Sequence, residues 1–116
     1  MKKLKEIPVN IWDDYYEDGY VPDGEIQKTS IYIEEYDYLS SNKHKEYLEF
    51  LLNYIKENIN IENVDFNSLI CKEGEDTIYR IEVKHLTHTN RLYLLNKLRE
   101  GNLEMDNLKF NFYSES

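Results

Sequence analysis

The residues best equipped for chemistry are three histidines, one cysteine and a run of acids and aromatics near the start of the chain. His85-Leu86-Thr87-His88 sets two imidazoles three positions apart and contains one His-x-Thr unit, which invites a metal or phosphoesterase reading. Residues three apart on a strand point to opposite faces, so these rings diverge, and no second His-x-Thr unit exists. His44 falls at the start of a helix with no partner evident. Cys71 stands alone, so no intrachain disulfide can form. As a nucleophile it would need an adjacent base, and the sequence shows none. Glu34 and Glu35 alternate across a strand and cannot share one task. Gly19, Gly24, Gly74 and Gly101 fall in turns or caps, with no glycine-rich phosphate loop. The residues lean against an enzyme, and they imply no cofactor and no metal.

Asp14 to Glu25 can be laid over a calcium-binding loop. Asp14, Asp18, Gly19, Val21 and Glu25 match its first, fifth, sixth, eighth and twelfth positions. Tyr16 stands at the third position, where a hard oxygen ligand belongs, Pro22 at the ninth, and the flanks are strand-like. The template fit is that of an acidic turn.

What remains is Trp12-Asp13-Asp14-Tyr15-Tyr16-Glu17-Asp18-Gly19-Tyr20, with the only tryptophan, three tyrosines and four acids. Tryptophan and tyrosine anchor interfaces, and carboxylates around them steer a basic partner. The candidate partner-binding residues are therefore Trp12, Asp13, Asp14, Tyr15, Tyr16, Glu17, Asp18 and Tyr20. Charge arithmetic points the same way. The 116 residues carry a net charge of −9, and residues 6–37 hold ten acids against one base, Lys28, so the whole excess resides there. Such a field repels phosphate backbones and excludes an ordinary nucleic-acid binder. It suits a basic protein surface, such as the channel of a nuclease or another nucleic-acid-binding enzyme. The expected function is a small acidic interaction protein, an inhibitor or immunity-type nucleic-acid mimic. The alternative is a dimeric, small-ligand-binding regulatory domain working through an open sheet face that carries Tyr32, Glu34, Tyr36, Arg80 and Tyr113.

Those residues need a scaffold. The segment Ile7 to Trp12, alternating from Ile7 to Ile11, predicts a short strand, with Pro8 confining it to an edge or a strand start. Val21-Pro22-Asp23-Gly24 marks a turn. Thr29 to Tyr36 predicts a strand with Ile31 and Ile33 on one face. Tyr47, Leu48, Leu51, Leu52, Tyr54, Ile55 and Ile59 recur at helical spacing, after possible caps Ser40, Ser41 and Asn42. Val64 to Lys72 predicts a strand, Glu73 to Asp76 a hairpin turn, and Thr77 to Leu86 a cleanly alternating strand. A second helix follows Thr87 or Thr89, buries Leu94, Leu95 and Leu98, and ends at Gly101 in a left-handed conformation. Leu108, Phe110 and Phe112 alternate in a last strand.

The order predicts an α+β domain: a ferredoxin-like βαββαβ antiparallel sheet with two helices on one face, plus an N-terminal strand and acidic loop. Residues 1–27 would be an appendage and 28–116 the complete core. The core list is Ile31, Ile33, Leu48, Leu51, Leu52, Ile55, Ile81, Val83, Leu95, Leu98, Phe110 and Phe112. The open face lacks the aromatic motif of RNA-recognition domains, since Tyr79 falls on the helix side. That face is expected to be covered, by the N-terminal segment or by a second copy. The length fits one domain. No apolar run could span a membrane, and the basic start lacks the apolar stretch of a signal peptide, so a cytoplasmic location is expected.

Overall fold

Alternating apolar residues on four strands and apolar stripes on two helices meet in one core. The computed structural model describes residues 5–15, 25–37, 39–62 and 64–114. The elements are β1 (Glu6–Asp14), β2 (Glu25–Glu34), α1 (Ser41–Asn58), β3 (Phe66–Glu73), β4 (Asp76–Thr87), α2 (His88–Glu100), β5 (Glu104–Met105) and β6 (Leu108–Ser114). The six strands form one mixed sheet in the order β3-β4-β2-β1-β6-β5. Only β1 and β6 run parallel; the other neighbours are antiparallel.

This α+β sheet departs from the expected pattern. A ferredoxin-like sheet would place β2 beside β6, whereas here β1 lies between them. The physical reason is on the inner face of β1. Ile7, Val9 and Ile11 are all buried, in register with Phe110, Phe112 and Ile31. Three consecutive inward aliphatics need helix cover on a central strand. β1 is therefore part of the sheet and its core rather than an appendage to it. Pro8 is reconciled by register rather than by an edge position. Pairing with β2 runs from Asn10 to Asp14, so Pro8 lies beyond that ladder and its missing N–H breaks none of its bonds.

The helix-covered face carries Thr29, Ile31 and Ile33 of β2, Tyr79, Ile81 and Val83 of β4, and Phe110 and Phe112 of β6, all buried. Tyr47, Leu48, Leu51, Leu52 and Ile55 of α1 and Leu94, Leu95 and Leu98 of α2 close over them. All twelve expected core residues are buried. Ser40 caps α1 by accepting from the Lys43 N–H at 3.1 Å, and Thr87 caps α2 by accepting from the Asn90 N–H at 3.1 Å.

Two details at the end of α2 differ from expectation. Gly101 is right-handed (φ −69°), and Asn102 takes the positive φ instead. A Cβ at 101 would lie 2.5 Å from the Tyr54 hydroxyl oxygen, so any larger residue there would have to displace the Tyr54 ring end. A short strand, β5, then precedes β6. Asp106 and Asn107, both at positive φ, turn one into the other.

Candidate interaction surface

The face of the sheet away from the helices is built by the even-numbered residues of β1, β2 and β4. In register across it lie Asn10, Tyr32, Arg80 and Leu69 in one row, and Trp12, Ser30, Glu82 and Asn67 in the next. β1 widens this face instead of covering it. Trp12, at the centre of the sheet, is 46% exposed, and its indole N–H donates to Asp14 at 3.2 Å. Asp14 also pairs with Lys28 at 3.4 Å. Beyond them Arg80 and Glu82 pair at 3.1 Å.

A hollow of about 330 Å³ opens here, lined by Trp12, Asp14, Lys28, Ser30, Tyr32, Glu34, Glu73, Ile78 and Arg80. Its cause is a difference in length. Ser30 is the smallest side chain on this part of the face, and Trp12, Tyr32, Lys28 and Glu82 surround it. A second depression, holding Tyr15, Gln27, Lys84 and His85, shares Asp14 and Lys28 with the first. The loop residues Trp12 and Asp14 and the sheet residues Tyr32, Glu34 and Arg80, read from sequence as two separate sites, thus share one concavity.

The other candidates divide. Asp13 points the opposite way. Its side chain is 1% exposed, accepts from the Thr29 hydroxyl at 2.9 Å and pairs with Arg91 of α2. It cannot serve a partner. Tyr15 is exposed and its ring stacks on His88, 6.0 Å between centroids. Tyr16, Glu17, Asp18 and Tyr20, and most of the calcium-loop overlay, lie outside the described residues. Tyr113 and Tyr36 flank the hollow towards β6 and the β2 end. The Tyr113 hydroxyl donates to Glu6 at 2.8 Å, and Asn111 donates to the same carboxylate at 2.9 Å. These bonds, Tyr113 first, hold the Glu6 carboxyl below its ordinary pKa, and the same contact pushes the Tyr113 phenol up. Burial, and then the charge of Glu34, raises Tyr36.

The acidic excess is thus partly used within the fold. Glu6, Asp13 and Asp14 have the partners given, and Glu35 accepts from the Thr77 N–H at 3.3 Å. Glu34 and Glu73 have no ion-pair partner among the described residues.

The histidines do not converge. His44 is fully buried; its Nε2 accepts from the Tyr36 N–H at 3.0 Å, so its Nδ1 carries the proton given to the Ser40 carbonyl at 2.8 Å. It also stacks on Tyr79, 4.7 Å between centroids. It is a structural residue joining the start of α1 to the end of β2. His85 adopts φ 62° and interrupts the alternation of β4, so that Leu86 turns into the core. Cys71 is half-buried on β3. Among the described residues no three His, Cys, Asp or Glu side chains gather as a metal site, and no helix is long and apolar enough to cross a membrane.

Sequence reasoning missed Ser30, Lys28, Glu73 and Ile78 as lining of the hollow. Strand parity carries Ser30 and Lys28, which share the phase of Tyr32. Glu73 and Ile78 depend on the β3–β4 register. No known family, no curated protein and no solved structure matches the chain significantly.

Proposed function

We propose that this chain is a protein-interaction module that binds and blocks a basic surface of a partner, in the manner of a nucleic-acid mimic, with the open sheet face as its contact surface. The observation that carries this reading is Trp12. A tryptophan 46% exposed on the sheet face away from the helices, beside Asp14 and near Glu34 and Glu73, which have no ion-pair partner among the described residues, combines an apolar anchor with negative charge. The partner class is a nuclease or another nucleic-acid-handling protein, whose basic channel complements a chain of net charge −9. The βαββαβ order of β2, α1, β3, β4, α2 and β6 supports reading the α+β sheet as a ferredoxin-like arrangement into which β1 is inserted.

The experiment is affinity capture with two baits, the native chain and Trp12→Ala/Asp14→Lys/Glu34→Lys. The reading expects a basic protein retained by the native bait alone and released steeply by salt, since surface charges are screened within about 8 Å at physiological ionic strength. Equal retention by both baits would remove the open face from consideration.

A second reading rests on the hollow itself. At about 330 Å³ it is in the size range of small-ligand sites, and it would serve a ligand-binding regulatory domain. Binding of that kind would need no protein partner and would be confined to the residues around Ser30.

A further inference from the structure

The two edges of the sheet are finished differently. At the β6 edge, β5 pairs with Leu108 and Lys109. The Phe110 N–H then donates to the Leu103 carbonyl at 2.9 Å, and Arg99 donates to the Phe112 carbonyl at 3.0 Å. That edge is closed by a short strand, a loop carbonyl and a guanidinium, all devices that keep other strands off. Among the described residues the β3 edge has none of them. Eight residues, Phe66–Glu73, pair with β4 without a bulge or a proline, and among the described residues no hydrogen bond beyond that ladder is made to β3.

The direction of the free backbone groups follows from the neighbouring ladder. The Glu35 N–H donates to the Thr77 carbonyl at 3.1 Å, so odd-numbered residues of β4 bond towards β2 and even-numbered ones towards β3. Opposite the even residues stand Asn67, Leu69 and Cys71. Ser68, Ile70 and Lys72 therefore turn their N–H and C=O groups to the outside. Ile70 is 49% exposed at this edge, although Tyr79, its cross-strand neighbour, is buried.

We infer that β3 pairs with β3 of a second copy of this chain, antiparallel about a two-fold axis, to give one continuous twelve-stranded sheet. A two-fold contact needs a surface complementary to itself, and this one is. A depression of about 430 Å³ beside the edge is bordered by Leu48 and Ile70 and by Lys45 and Glu49 of α1, one turn apart and opposite in charge. Neither has an ion-pair partner among the described residues. About the axis, Lys45 of each copy meets Glu49 of the other, while Ile70 leaves water. This contact uses the outward backbone groups of β3 and the helix-side Lys45, Glu49 and Ile70, and stands or falls independently of the open face proposed for the basic partner.

Sedimentation equilibrium over a range of chain concentrations tests it. The native chain should show twice its monomer mass of 14.1 kDa. Ser68→Pro removes an outward N–H and no β3–β4 bond, a position where an edge strand tolerates proline; it should keep native circular dichroism and sediment as monomer. Ile70→Glu, which alters one exposed side chain, should do the same and decides the matter should the proline variant unfold. Lys45→Glu and Glu49→Lys should each weaken dimerisation several-fold, and the double variant should recover it. A native chain that stays monomeric, or a dimer untouched by Ser68→Pro and Ile70→Glu, would overturn the inference. Failure of the double charge variant to recover would overturn the reciprocal Lys45–Glu49 pairing.

Discussion

Asp13 and Asp14 are adjacent, identical in type, and opposite in role. Asp13 is sealed under α2 against Arg91 and Thr29, whereas Asp14 lies on the open face beside Trp12 and Lys28. The same division runs along all of β1. Ile7, Val9 and Ile11 complete the core, and Glu6, Asn10, Trp12 and Asp14 lie on the face away from the helices. One strand thus separates folding from contact by parity alone. A segment dense in acids is not uniformly a binding segment; each residue's side of the sheet decides what its charge can do.

The largest difference between the two sides of β1 is expected at Asp13. Replacing it with Ala strips Arg91 of its buried partner and should destabilise the fold by about 3–5 kcal/mol, measured by urea denaturation. Asp14→Ala should change stability by no more than about 1 kcal/mol, as befits a half-exposed ion pair. Equal effects at the two positions would erase the distinction. Next in size is Leu51→Ala, beneath the covered face, expected to cost roughly 2–5 kcal/mol. Trp12→Ala, on the open face, should leave the denaturation midpoint near the native value while abolishing capture of the partner.

The smallest effect sharpens the open side further. The Glu6 pKa is depressed in the folded chain, so its contribution is present above the ordinary glutamate pKa and fades as pH falls through the depressed value. The Tyr113 pKa is raised, so the same contact contributes below the ordinary tyrosine pKa and is lost as pH rises through the raised value. Tyr113→Phe should lower the neutral plateau slightly in a plot of midpoint against pH, and so flatten both limbs, while leaving the acid and alkaline extremes unchanged. A large loss at neutral pH would show that this contact belongs to the fold rather than to its surface.

Much of the covered face was legible in the sequence, because alternation on β2, β4 and β6 and helical spacing on α1 and α2 report burial directly. The place of β1 was not. Ile7-Pro8-Val9-Asn10-Ile11 reads the same on an edge or in the centre, and Pro8 argued for an edge until the register showed where the β2 ladder stops. Asp13 was unreadable for a related reason: its partner Arg91 comes from α2, distant in sequence. His44 needed the backbone of Tyr36 and the ring of Tyr79 to declare its structural role. Tyr32, Glu34 and Arg80 followed from parity, yet that they share a hollow with Trp12 depended on β1 lying beside β2.

The central claim is that the Trp12 side of β1 is what the partner touches, and the chain's only tryptophan reports on it directly. Fluorescence of the native chain, titrated with the basic protein retained in the capture experiment, is the decisive measurement. Emission should be that of a half-exposed indole, open to acrylamide quenching, and should shift to shorter wavelength and become protected as the complex saturates. Unchanged emission and quenching at saturation would place the interface away from Trp12.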